Sequence, residues 1–292
     1  MNQFHKISTI NVLNLSSSTQ HQLQEFSEEK IVFYDTDSQT EEETISRIGT
    51  ADAVLGSWNS TITKNVLDAC PSLKYIGICG TSLTKVDVEE VKKHNIILKN
   101  VTDYGDEATA EFIFSQLLNL YRGFGSHQLG NIPSELNGKT IGIIGLGAVG
   151  QQVARLAIGF NMRVLYYSRS RHSEWETKGL IFTDLNSLLS TSDIISISVP
   201  RNLNIIGASE FDLIKPQAVL VNTAIGTVFD MSSFLSWIKK GQNFFIVDNQ
   251  EYINEINDIP NVIAVPITAG KTQESINRLS QKVINNICDF LK

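Results

Sequence analysis

The segment Thr140-Ile141-Gly142-Ile143-Ile144-Gly145-Leu146-Gly147-Ala148-Val149-Gly150 joins a short apolar run to three glycines at G-x-G-x-x-G spacing. Ile141 to Ile144 reads as a buried strand. A helical pattern follows at once, with Val149, Val153, Leu156, Ala157 and Phe160 recurring on one face. Each glycine has a physical task in such a strand–turn–helix. Gly145 permits the tight turn, Gly147 lets the backbone approach a pyrophosphate, and Gly150 lets helix and strand pack closely. Ala148, Val149 and Gly150 open the helix, whose N-terminal N–H groups favour phosphate. The spacing therefore predicts a dinucleotide-binding unit. A glycine turn of purely structural purpose is the alternative.

Outward from this segment, 292 residues suggest two domains. A 42% apolar content supports a large core, and a net charge of −7 without a basic stripe argues against a nucleic-acid surface. The first ten residues lack the apolar stretch of a signal peptide or membrane span, so a cytoplasmic location is expected. Cys70, Cys79 and Cys288 show no C-x-x-C spacing and read as free thiols; no metal is expected.

Ahead of the glycines, short apolar segments at 9–13, 30–34, 53–55, 75–78 and 96–98 alternate with helical ones at 19–26, 41–48, 63–69 and 86–93. Such alternation predicts a parallel sheet covered on both faces. Asp103, Tyr104 and Gly105 break the pattern, and Gly105 is expected to supply the unusual backbone angles of a hinge. An apolar helix over 108–121 and a glycine-containing loop over 123–136 lead into the glycine motif.

The strand expected at 163–167 runs into Ser168-Arg169-Ser170-Arg171, about twenty residues past the glycines. An acidic residue here would hold the ribose 2′-hydroxyl of NAD. Ser168 stands there instead, and Arg169, Ser170 and Arg171 suit a 2′-phosphate, which favours NADP(H) over NAD(H). A solvated basic turn is the plainer reading. Further strands are expected at 194–199, 218–222, 244–247 and 262–265. They end at Val199-Pro200, Asn222-Thr223-Ala224, Asp248 and Pro266. Ligands sit beyond such carboxyl ends. A helix over 273–291 is expected to return to the first domain.

Laid out this way, the chain resembles the D-isomer-specific 2-hydroxyacid dehydrogenases, near their glyoxylate and hydroxypyruvate reductase branch. The resemblance runs through Pro71 to Gly77, Ala110-Glu111, Asn137 to Gly150, Ser192 to Pro200, Val221 to Ala224 and Pro260 to Gly270. It implies an α/β protein of two domains with a cleft between them. Residues 1–104 and 271–292 would form a flavodoxin-like substrate domain. Residues 105–270 would form a Rossmann-type, doubly wound cofactor domain. It implies that Val199, Pro200, Asn222, Thr223, Ala224 and Asp248 contact the cofactor. Asp248 would face the nicotinamide carboxamide, with a solvated strand end as its plainer reading and a turn cap as that of Asn222. Gly80, Thr81 and Ser82 would meet the substrate, though an ordinary turn reads as well there. Homodimerisation through the loop from Arg122 to Leu136, shorter here than in most of the family, is a further implication.

The family chemistry uses an arginine, a histidine and a glutamate, and the chain departs at all three. Ile225 stands at the arginine position and Ile267 at the histidine position. Ile253 lies nearest the glutamate position, with Glu251 displaced from it. No histidine follows His172, so no shifted copy exists later in the chain. An apolar pair cannot neutralise a carboxylate, and a missing general acid typically removes about 100- to 10,000-fold in rate. Three readings remain. One is an NADP(H)-dependent oxidoreductase acting on an imine, an enone or another carbonyl, its proton drawn from water, Tyr104, Asp103 or Lys85. Another is a catalytically inactive dinucleotide-binding homologue, a sensor or partner-binding protein. The third is a residual keto-acid reductase. The sequence leans slightly to the enzyme of altered chemistry.

Overall fold

A computed structural model describes residues 3–200, 203–248 and 252–292. The chain divides into two compact units, Met1–Tyr104 with Thr272–Lys292, and Gly105–Lys271. Among the described residues, no helix is long and apolar enough to cross a membrane.

In the first unit the elements run β1 (Ile7–Thr9), α1 (Ser17–Leu23), α2 (Glu41–Ile48), β2 (Ala53–Ser57), α3 (Lys64–Ala69), β3 (Tyr75–Cys79), α4 (Val88–Lys93) and β4 (Ile97–Asn100). The four strands pair in parallel in the order β1-β2-β3-β4. Side chains alternate across the sheet, as the pleat requires. Tyr75 and Cys79 of β3 join one apolar cluster, and Ile76 and Ile78 join another. Helix starts are capped locally: Thr40, Thr63 and Asp87 accept the N–H groups of Glu43, Val66 and Glu90.

The strand expected at 30–34 does not form a ladder. Thr9 Oγ1 donates to the Val32 carbonyl at 2.8 Å, which sets this segment beside β1. Gln24 Oε1 accepts the Ile31 N–H at 3.0 Å. Side chains thus satisfy backbone groups that a neighbouring strand would otherwise satisfy.

The second unit contains α5 (Asp106–Arg122), β5 (Thr140–Ile144), α6 (Ala148–Gly159), β6 (Arg163–Tyr167), α7 (Ser173–Glu176), β7 (Ile181–Phe182), α8 (Leu185–Thr191), β8 (Ile194–Ile197), α9 (Ala208–Leu213), β9 (Val219–Asn222), α10 (Met231–Ile238), β10 (Phe244–Val247), α11 (Ile253–Ile256) and β11 (Val262–Ala264). Its seven parallel strands lie in the order β11-β10-β9-β8-β5-β6-β7. From β5 the chain runs outward through β6 and β7, then returns to the other side of β5 to lay down β8. The β5/β8 boundary is therefore the switch point, where crevices open at the strands' carboxyl ends. Both faces are covered. Ile141, Ile143, Val164 and Tyr166 face the cluster that holds α5, and Ile144, Leu165, Ile195 and Ile197 face the other.

The last helix, α12 (Gln273–Phe290), belongs to the first unit. Leu279, Val283, Ile284 and Ile287 share a core with Phe4, Ile7 and Tyr75.

The expected hinge glycine is corrected by the backbone. Gly105 has φ −113°, open to any residue. Asp103 takes the left-handed conformation instead, at φ 55°. Gly105 is small for another reason. A methyl group there would lie 3.0 Å from the Gly270 carbonyl oxygen, a contact too tight to leave both segments in place.

Candidate functional site

The glycine motif occupies the carboxyl end of β5. Gly145 has φ 93°, and a Cβ on it would sit 2.4 Å from the Ser198 carbonyl oxygen that follows β8. A Cβ on Gly150 would meet the Gly145 carbonyl oxygen at 2.1 Å. These two glycines are demanded by the protein's own packing. Gly147 differs: nothing lies within 4 Å of its notional Cβ. It precedes the twelve-residue α6 with no side-chain cap, so the first N–H groups of Ala148, Val149 and Gly150 are available to a ligand. Open space in front of an uncapped helix start fits a pyrophosphate. The Ser198 hydroxyl, buried beside this loop, has no hydrogen-bond partner among the described residues. Val199 packs against an apolar cluster, and the exposed Pro200 follows it.

The Ser168–Arg171 turn follows β6. The Ser168 hydroxyl donates to the Ser170 carbonyl. Arg171 is engaged: its Nε and Nη2 donate to Glu176 at 3.0 and 2.5 Å, and its guanidinium lies 5.2 Å from the Phe182 ring centroid. The Arg171 guanidinium, helped by the Tyr166 hydroxyl at 2.6 Å, pulls the Glu176 carboxyl down to about 2. Arg169 is exposed and has no acidic partner among the described residues. Of the two arginines picked out in the sequence, Arg169 is the one free to meet a phosphate.

At the ends of β9, β10 and β11 the polar groups are tied to one another. Asn222 is fully buried; its Nδ2 donates to the Tyr252 hydroxyl at 2.7 Å, and its Oδ1 accepts the Ala224 N–H at 3.1 Å. Asp248, also buried, accepts the Ala269 N–H at 2.9 Å. Thr223 lies between Asn222 and the buried Ala224. The two isoleucines lie on the same loops and face outward. Ile225 is 46% exposed and Ile267 is 57% exposed. Ile253 begins α11, while Asn249, Gln250 and the displaced Glu251 lie outside the described residues.

The remaining candidates belong to the first unit. A Cβ on Gly80 would meet the Trp58 Cβ at 2.7 Å, so glycine there admits the tryptophan backbone. Thr81 Oγ1 donates to the Val101 carbonyl at 3.2 Å, and the Ser82 and Thr84 hydroxyls are 2.6 Å apart. Lys85 Nζ donates to Asn59 Oδ1 at 2.6 Å. Asp103 accepts the Thr102 hydroxyl at 2.9 Å. The main-chain carbonyls of Asp103 and Tyr104 accept from Lys282 and Arg278, each at 2.9 Å.

Two groups escaped the reading of the sequence. Tyr252 sits within the segment that by resemblance holds the family's glutamate, where a carboxylate is the residue type the pattern points to. Glu176 lies on a short helix five residues beyond the basic turn, and only the folded chain brings it to Arg171.

Residues 118–269 match the family model described as D-isomer specific 2-hydroxyacid dehydrogenase, NAD binding domain. A glyoxylate reductase of Thermococcus litoralis is 30% identical over 274 residues, covering 85% of this chain and 83% of that protein. Among solved structures, an acyclic imino acid reductase in complex with NADPH and D-Arg superposes with a TM-score of 0.84 at 29% identity. That match covers 98% of this chain and 97% of the other. The apo-structure of D-lactate dehydrogenase from Escherichia coli gives 0.81 at 24% identity, over 97% of this chain and 96% of that one, and shares the fold. With the family model spanning more than half of the chain, and the glycine loop built as a dinucleotide cradle requires, this protein belongs to the D-isomer specific 2-hydroxyacid dehydrogenase family of nicotinamide-dependent oxidoreductases.

Proposed function

We propose that this protein is an NADPH-dependent reductase of C=N bonds, acting on protonated imines rather than on simple 2-keto acids. One observation carries the reading. Ile225 and Ile267, which by resemblance stand where the family has its arginine and histidine, are exposed on loops at the carboxyl edge of the cofactor sheet. When bound, the dihydronicotinamide supplies a hydride to the unsaturated carbon of the substrate.

The nature of the electrophile then decides what the protein must provide. A keto acid gathers negative charge on oxygen as it is reduced. It calls for a cation and an acid close by. An iminium ion starts positive, already carries its proton, and ends as a neutral amine. It needs neither group, and a neighbouring arginine would repel it. Replacing both cations by isoleucine suits that electrophile. It suits a keto acid poorly, because no acid stands at the histidine position to protonate the alkoxide that forms. The imino acid reductase among the structural relatives supports the same chemistry, since the protein of that complex holds NADPH and an amino acid.

Within this reading, Gly145, Gly147, Ala148, Val149 and Gly150 receive the pyrophosphate. Arg169 receives the 2′-phosphate of NADP(H), with Ser168, Ser170 and Arg171 shaping its turn. Val199, Pro200, Asn222, Thr223, Ala224 and Asp248 surround the nicotinamide half. Tyr104, Asp103 and Lys85 need not serve as acids, because the substrate brings its own proton. Homodimerisation through the loop from Arg122 to Leu136 stays within the proposal, supported by the exposed Phe124 and Ile132.

The test follows NADPH consumption by the loss of its dihydronicotinamide absorbance. Amine–carbonyl mixtures that form imines are compared with the parent keto acids and enones. Turnover confined to the amine-containing mixtures is the expected result. Comparable turnover of glyoxylate without amine overturns the reading, and NADPH binding with no turnover of any compound establishes the non-catalytic alternative.

A further inference from the structure

We propose that Tyr252 is a positioning residue whose hydroxyl holds the Asn222 amide, and through it the turn from Asn222 to Ile225 that meets the nicotinamide half of the cofactor. The inference rests on the assignment of that turn to the nicotinamide, made above.

Only one orientation of the Asn222 amide satisfies its neighbours. The Ala224 N–H points at one end at 3.1 Å and can only donate, so that end is the oxygen. The other end is then the NH2 group, and the Tyr252 oxygen, 2.7 Å away, must accept from it. Tyr252 is itself fixed. It is 5% exposed and lies edge-on to Phe229, with ring centroids 6.1 Å apart at 76°. A rigid aromatic ring therefore carries an acceptor to a buried amide, and the amide clamps the main chain two residues on. Ile225 follows directly, and Gly226 at φ 81° closes the turn.

The phenol is not the proton donor of the reaction. Burial pushes its ionisation upward, and the negative charge of Asp248 pushes it the same way. It stays protonated across the neutral range and is shielded from solvent. Its part is geometric. Without the hydroxyl, the Asn222 NH2 group is buried without an acceptor, and the amide loses one of the two bonds that fix it against Ala224.

The test compares wild-type protein with Tyr252→Phe, which keeps the ring and its packing. Two probes are titrated: NADPH, and 2′-phospho-ADP-ribose, which lacks the nicotinamide. The expected result is a loss of about tenfold in NADPH affinity with a changed emission of the bound dihydronicotinamide. Affinity for 2′-phospho-ADP-ribose stays near wild type, while the melting temperature falls by a few degrees because the buried amide is left without its acceptor. In an Asn222→Ala background the Tyr252→Phe change adds nothing further, as two residues acting through one bond require. Unchanged NADPH affinity in Tyr252→Phe overturns the inference, and so does an equal loss for both probes, which marks a general structural effect. A wild-type protein that binds neither probe removes the cofactor assignment and this inference together.

Discussion

The two ends of the cofactor sheet's carboxyl edge are built on different principles. At the β5/β6 end, recognition rests on main-chain geometry: a left-handed Gly145, a contact-forced Gly150 and an open Gly147. At the β9–β11 end lie the positions that by resemblance carry the family's chemistry on side chains, and there Ile225 and Ile267 stand exposed. Main-chain recognition resists change, because altering it means moving a strand and a helix. A side chain at a loop position can be replaced without disturbing the strand beneath it. A family can therefore keep its cofactor and change its substrate, and the imine chemistry proposed for this chain is a change of that kind.

The contrast can be broken most severely at Gly150. A methyl group there meets a carbonyl oxygen at 2.1 Å, with no flexible neighbour to yield. Gly150→Ala is expected to cost about 3 kcal/mol or more, read from urea denaturation. Behind it comes the Ile225→Arg, Ile267→His double variant, which restores a cation and an acid to the other end. Glyoxylate reduction with NADPH should rise about 100-fold over the parent, while imine reduction falls. No gain in keto-acid turnover would show that more than these two positions separates the chain from its relatives.

A third variant sharpens the comparison inside the glycine loop itself. Gly147→Ala meets no protein atom, so its melting temperature should match the parent. Its NADPH affinity should fall by about tenfold, because the methyl group enters the space a pyrophosphate needs. Arg169→Ala should raise the KM for NADPH by a similar factor and leave that for NADH unchanged. Arg171→Ala should do less, since its guanidinium is already bound to Glu176.

The smallest expected effect is a pH dependence. Glu176 falls from an ordinary carboxyl value near 4.5 to about 2 in the folded protein. A depressed folded value means that the ionised form favours the fold. The contribution is complete above the unfolded value and is lost as pH falls from about 4.5 through 2. Glu176→Gln should flatten stability across that window in acid denaturation curves. The effect should be small, because the carboxylate remains open to solvent screening.

Much of this architecture was legible in residue order. The apolar run before Gly145 and the periodicity after it specify β5 and α6, because a buried parallel strand and an amphipathic helix have distinct periods. Ends such as Asn222 and Asp248 were marked by polar residues terminating apolar runs. The segment at 30–34 misled, since its apolar character is that of a strand while Thr9 and Gln24 satisfy its backbone. The hinge glycine misled in the same way. A glycine at a break in the pattern suggests backbone freedom, yet Asp103 carries the positive φ and Gly105 is small because Gly270 lies against it.

What the sequence determined by itself was composition-level and local: two α/β units, the glycine turn, and the lack of any histidine after His172. These depend on periods and residue identities within short stretches of chain. Tertiary structure alone decided which arginine of the basic turn is free, that Asn222 leans on Tyr252, and that Asp248 holds Ala269. Each of those is a hydrogen-bond or charge pairing between residues brought together by folding. Donors and acceptors choose partners by distance in space, and position along the chain does not encode it.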